Sequence, residues 1–161
     1  MDKVRGGKMI DIKHQITLEN KKIDVYSGVD SRYWIIPPEI YGPLNNEFHF
    51  DFDPCPYTFE RDGIEIEWGA SNWVNPPFRA RDSINGHGPT AFVRKGIEEA
   101  EHGKTSVFIL PVQNYVNLLL WAGAEIRPLG RVNWLDARTG KRMKAGSNNA
   151  IFILKGKEVE K

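Results

Sequence analysis

Residues 72–79 read NWVNPPFR, and their centre, Asn75-Pro76-Pro77-Phe78, joins an amide, two prolines and an aromatic ring in consecutive positions. Neither proline has an N–H to give to a sheet, and Pro76 holds Asn75 in an extended conformation. The Asn75 side-chain oxygen and the Pro76 carbonyl are then two stiffly held acceptors, suited to the two hydrogens of an exocyclic amine such as that of adenine. Such an amine is a poor nucleophile because its lone pair is delocalised into the ring. Gripping both hydrogens draws the nitrogen toward tetrahedral geometry and aims the lone pair at an electrophile, while Phe78 can stack on the ring. Positioning of this kind lowers a barrier by up to roughly 7–11 kcal/mol in favourable cases. A strong base is not required, so a neutral amide suffices. The plain structural alternative is a rigid strand-to-loop bend that holds no ligand.

A further acid stands in an unusual setting: Asp53 is locked by a following proline in Asp53-Pro54-Cys55. Cys55 beside a proline reads as a packing residue rather than a nucleophile. His14, His49, His87 and His102 are scattered without a cysteine partner set, so no metal site is expected. Between Arg127 and Lys144 lie six basic residues (Arg127, Arg131, Arg138, Lys141, Arg142 and Lys144) against one acid, Asp136, although the net charge of the chain is only +1. A local stripe of this kind can track phosphates even on a neutral protein; a solvated loop is the bland alternative. RARDSINGHGPT, which follows the Asn75 motif and begins at Arg79 with Ala80 and Arg81 after it, is polar and reads as a surface or closing loop. Trp134 can stack on an extruded base or serve as a half-buried structural ring.

The elements that must hold these residues follow from pattern. Alternation in 10–26 predicts a short hairpin near Glu19-Asn20, within an N-terminal extension of residues 1–30. A short helix is expected from Pro38 to about Asn46, since proline is favoured in a first turn. FHFDFD predicts a strand ending at Asp53-Pro54, and NWV one ending at Asn75-Pro76. PTAFVRKGIEEAEHGK has helical spacing with Gly103 as its stop. TSVFILP reads as a buried strand, VQNYVNLLLWAGA as a helix, EIRPL and NAIFILK as strands, and the intervening segment to Asn149 as a hairpin or long loop. Strand and helix alternate in the second half, which predicts an α/β fold with parallel pairing. Ligands in open α/β sheets bind beyond the carboxyl ends of strands, where both Asp53 and Asn75 would sit.

Composition sets outer bounds. At 161 residues, 40% apolar and 27% charged, the chain is sized for one globular domain. Its apolar runs are too short or too interrupted to span a bilayer. No apolar stretch follows the charged N-terminus, and a single cysteine fits a reducing compartment, so a cytoplasmic location is expected, that of the host cell if the chain is phage-encoded.

The Asn-Pro-Pro-Phe tetrapeptide resembles the catalytic motif of S-adenosylmethionine-dependent amino-methyltransferases. With WIIPPEIYGPLNNEF, DFDPC and DGIEIEW upstream, the chain from about Tyr33 to Lys155 resembles the phage-type DNA N6-adenine methyltransferases in the order and spacing of its pieces. The resemblance implies an abbreviated Rossmann-like methyltransferase fold over residues 31–161, with a mixed, mostly parallel sheet flanked by helices. It implies S-adenosylmethionine as cofactor and double-stranded DNA as partner. Asn75, Pro76, Pro77 and Phe78 match the catalytic motif. Ile36-Pro37 matches an element lying against the methionine part of the cofactor, and Asp53, Pro54 and Cys55 match one contacting its amino-acid and ribose end. Asp62 matches an acidic position that accepts from the cofactor's adenine amine. Arg79, Arg81, Trp134, Arg138, Lys141, Arg142 and Lys144 are the residues expected at the nucleic acid. Ile36 replaces the family's usual threonine, the Asp53 loop lacks glycines, and only 19 residues separate Cys55 from Asn75, too few for two βαβ crossovers.

The implied reaction is transfer of a methyl group to the N6 amine of an adenine extruded from the duplex. The same motif is compatible with cytosine N4, an RNA adenine or a protein glutamine, and the chain can also be a non-enzymatic nucleic-acid-binding relative.

Overall fold

A computed structural model describes residues 34–56, 61–80, 83–136, 139–144 and 146–160. The hairpin expected in 10–26 and the proposed extension over 1–30 lie outside the described residues.

Among the described residues, three helices and a four-stranded sheet make the framework. The sheet consists of β2 (Ser71–Val74), β3 (Thr105–Pro111), β6 (Asn148–Leu154) and β4 (Glu125–Arg131), neighbours in that order. β2 and β3 run parallel, whereas β6 is antiparallel to both β3 and β4. β2, β3 and β4 therefore share one direction, and β6 alone is reversed among them. Parallel pairing throughout the second half is the expectation from the alternation of elements. It holds for β2 and β3, while β6 enters between β3 and β4 and reverses their pairing. A separate ribbon joins β1 (Trp34–Ile35) antiparallel to β5 (Leu135–Asp136).

The sheet is covered on both faces. α1 (Pro38–Phe48) lies on one, with α2 (Pro89–Glu101) and α3 (Val116–Trp121) on the other. β3 runs VFILP without a polar break because both of its faces are covered. Its even positions, Phe108 and Leu110, pack with Phe92 and Leu119, and its odd ones, Val107 and Ile109, with Tyr41, Leu44 and Trp73. Each such side chain stabilises the fold by roughly 1.5–3 kcal/mol on burial. α2 rides unusually close to the sheet at Gly96, where a Cβ would overlap the Phe108 ring. α2 then stops at Gly103, whose φ of 80° is the left-handed conformation that glycine adopts freely. β4 is an edge strand, and it tolerates Pro128 and a register shift between Pro128 and Gly130 for that reason.

Two elements are shorter than their patterns. The strand expected at FHFDFD reduces to one parallel bridge, Phe52 to Asn72, because the Asp51 carboxylate takes the N–H of Ser71 at 3.0 Å in place of a longer ladder. The helix expected over 112–124 narrows to Val116–Trp121, with Gln113 and Asn114 closing turns ahead of it. No helix among the described residues is long and apolar enough to cross a membrane.

Candidate functional site

The Phe52 bridge determines the layout of the site. The Phe52 carbonyl accepts from Trp73 N–H at 3.0 Å, and the Ser71 carbonyl accepts from Asp51 N–H at 2.9 Å. Two parallel segments consequently end side by side, one in Asp53-Pro54-Cys55 and the other in Asn75-Pro76-Pro77-Phe78. The buried Asn72 amide fastens the start of β2, donating to the carbonyls of Gly69 (3.0 Å) and Thr105 (2.9 Å) and accepting from Gly69 N–H (2.8 Å). The described part of the chain leading into the second end, residues 61–70, runs as turns and bends. Gly63 sits so close to the Pro54 carbonyl that a Cβ would overlap it, and the Gly63 carbonyl accepts from the buried Trp68 indole at 2.8 Å. That close approach brings Asp62 to the Asp53 strand end.

The two acids are held in opposite ways. Asp53 is buried, and among the described residues the N–H of Cys55, at 2.7 Å, is the one donor it receives. Burial pushes its carboxyl up to about 8, only partly offset by that hydrogen bond. Cys55 is buried as well; desolvation and then the charges of Asp53 and Asp62 push its thiol far up, which suits packing and not nucleophilic attack. For Asp62, burial acts to raise the pKa, but donors from Ile64 N–H (3.0 Å), Asn85 (2.8 Å) and His87 (2.7 Å) hold it below the ordinary value. Asn85 and His87 belong to the loop that follows the tetrapeptide. That loop is tied down on Asp62, a feature that its polarity alone does not reveal.

Asn75 is half-buried, and its side-chain nitrogen donates to the Trp34 carbonyl at 3.3 Å. Pro76 is buried; Pro77 and Phe78 are half-buried. Phe78 meets Trp34 edge-on at 6.4 Å and Trp134 at 5.6 Å, forming a three-ring cluster over the strand end. Trp34, 36% exposed, is the outermost ring, and the sequence pattern does not single it out.

Several residues expected at the site are engaged within the fold itself. Trp134 is 2% exposed and packs behind Phe78, so it is a supporting core ring and not an open stacking platform. Ile36 is 1% exposed and belongs to the core under α1, since an apolar side chain at this position is enclosed by Tyr41, Leu44 and Trp73. Pro37 is also buried, its carbonyl accepting from Ile40 and Tyr41 at the start of α1. Within the basic stripe, Arg127 grips Glu47 with two hydrogen bonds (2.7 and 2.8 Å), and Arg142 grips Glu39 (2.5 and 3.1 Å). Both glutamates are on α1, so these two arginines clamp helix to sheet and hairpin. Lys141 and Lys144 are exposed on that hairpin, and Arg79 is exposed beyond Phe78. Arg81 and Arg138 lie outside the described residues. Among the described residues, no group of three or more His, Cys, Asp or Glu is placed to hold a metal ion.

The chain is similar to a DNA N-6-adenine-methyltransferase of Escherichia phage T1, with 22% identity over 153 residues. The match covers 75% of this chain and 61% of that protein, so the chain spans about three-fifths of the length of its relative. No family model and no solved structure matches it.

Proposed function

We propose that the protein is a DNA N6-adenine methyltransferase that uses S-adenosylmethionine. The observation that carries this reading is the side-by-side ending of Asp53-Pro54-Cys55 and Asn75-Pro76-Pro77-Phe78 on two parallel segments. The similarity to the phage T1 protein supports it independently.

The donor set fits the cofactor. A buried carboxyl with one hydrogen bond, whose ionised form burial disfavours, is well matched to a ligand carrying positive charge, and Asp53 meets that description. Asp62 has an acceptor direction left on the oxygen that Ile64 uses, enough for one amine hydrogen. S-adenosylmethionine, when bound, supplies the methyl group as a sulfonium electrophile. The chain's own work is then positioning. Asn75 and the Pro76 carbonyl accept the hydrogens of the adenine amine, Phe78 holds the plane of the base, and the packed rings around it exclude water. The exposed Lys141, Lys144 and Arg79 are candidates for phosphate contacts, which orient DNA without reading its sequence.

The test is to incubate the protein with unmethylated duplex DNA and S-adenosylmethionine, digest the DNA to nucleosides and identify them by mass spectrometry. N6-methyl-2′-deoxyadenosine should appear, and Asn75→Ala should lower its rate of formation on the order of 100-fold or more. N4-methyl-2′-deoxycytidine instead would reassign the acceptor. Absence of any methylated nucleoside, with no thermal stabilisation by the cofactor, would remove the enzymatic reading.

A further inference from the structure

We propose that Trp34 is a positioning residue for the amine-receiving site, its main-chain carbonyl fixing which atom of the Asn75 amide faces the acceptor. The inference rests on the methyltransferase reading for its purpose but not for its geometry. A primary amide has one oxygen and one nitrogen on nearly the same outline, and only the oxygen can accept from an amine. Left alone, the Asn75 side chain would sample both orientations, and half of them would present donors to a donor. The Trp34 carbonyl can only accept, so it retains the orientation in which Nδ2 points at it, at 3.3 Å, and Oδ1 points away.

The element carrying that carbonyl is itself braced. Trp34 is paired with Asp136 and Ile35 with Leu135 in the β1–β5 ribbon, while the Trp34 ring leans on Phe78 and Trp134. The ring that would hold the base and the amide that would grip its amine thus share one support. A consequence is specific to this chain. An aspartate at position 75 would set a carboxylate oxygen against the Trp34 carbonyl, an acceptor facing an acceptor. It could keep the contact only by holding a proton, so this site is built for asparagine.

The experiment is a titration of Asn75→Asp with 13C-labelled aspartate. The new carboxyl should titrate at least about one pH unit above the ordinary range near 4. Asp136 lies opposite Trp34 in the ribbon, and Arg79 follows Phe78 in the chain, so these are the charged groups that the adjoining elements carry. The measurement is therefore repeated with Asp136→Asn, and the raised midpoint should persist. The methyl-transfer rate of N75D relative to the parent should fall about tenfold per pH unit above that midpoint. In the parent, one Asn75 side-chain amide proton should be protected from exchange, a readout that requires no variant to fold. An ordinary midpoint, a pH-independent rate ratio at any level, or equal free exchange of both amide protons would overturn the proposal. A parent that methylates nothing, with the midpoint still raised and the proton still protected, would remove the functional reading and leave the positioning by Trp34 intact.

Discussion

Asp53→Asn is the most informative single change, because it separates what the fold needs from what the site needs. In the folded chain burial holds the Asp53 proton to about pH 8, against an ordinary value of 3.8. The unfolded chain loses that proton first, so the unfolded state binds fewer protons between those two values. Stability of the parent should therefore decline as pH rises through that window, by up to about 1.4 kcal/mol per pH unit. Across the whole window the decline amounts to roughly 6 kcal/mol, a large part of an ordinary domain's 5–15 kcal/mol. Asparagine cannot ionise and still offers an oxygen to Cys55 N–H, but it buries a nitrogen without a partner, at a cost of about 1–3 kcal/mol. The two stability curves should cross. Near pH 4.5 the variant should be the weaker protein, and near pH 8 the stronger by about 3 kcal/mol, or about 6–12 °C in Tm for a domain of this size. Urea unfolding of both proteins at half-unit steps from pH 4.5 to 8.5 measures this. Curves that run parallel would mean that Asp53 is ionised in the fold throughout and that the desolvation argument is wrong.

Gly63→Ala should destabilise the chain by about 2–4 kcal/mol, since the new methyl group overlaps the Pro54 carbonyl oxygen, presses on the Phe92 ring at 3.0 Å and endangers the Trp68 hydrogen bond; a urea midpoint within error of the parent would contradict the close packing of that turn. Replacing Lys141 and Lys144 with alanine should weaken DNA binding on every sequence alike and reduce the slope of log affinity against log salt by about 0.9 for each phosphate no longer neutralised. Arg127→Ala should leave that slope unchanged and lower the melting temperature instead, because Arg127 is already engaged by Glu47 and Glu125.

The parts of the fold legible in the sequence are those specified by local pattern. β3 and β6 are unbroken apolar runs, α1 begins at Pro38, and α2 ends where Gly103 permits it. Both strand ends that carry Asp53 and Asn75 are readable from the prolines that follow them. Long-range partners are not. Arg127 and Arg142 look like free cations until the chain folds and glutamates 80 and 103 positions earlier reach them. The insertion of β6 is likewise a matter of tertiary pairing, since its five-residue apolar run AIFIL states neither its direction nor its neighbours. Trp134 and Ile36 are of types that suit work on a ligand, and packing claims them first. Asn85 and His87 leave only a faint trace, two polar side chains among glycines, and nothing in their spacing points to an acid more than twenty positions upstream.

The position of β6 also governs the order in which the molecule can be made. Its residues are among the last of the described chain to leave the ribosome, yet they occupy the slot between β3 and β4, bonding both. Until residue 154 is available, β3 has only β2 beside it and β4 lacks a sheet partner, and the apolar Phe152, Ile151 and Ile153 are missing from both layers of the core. A nascent chain can pair the segments of Phe52 and Asn72 early, but it cannot complete this sheet, and its unpaired strand edges stay open to other chains until β6 has emerged. Among the described strands, the one made last is the one that locks the sheet.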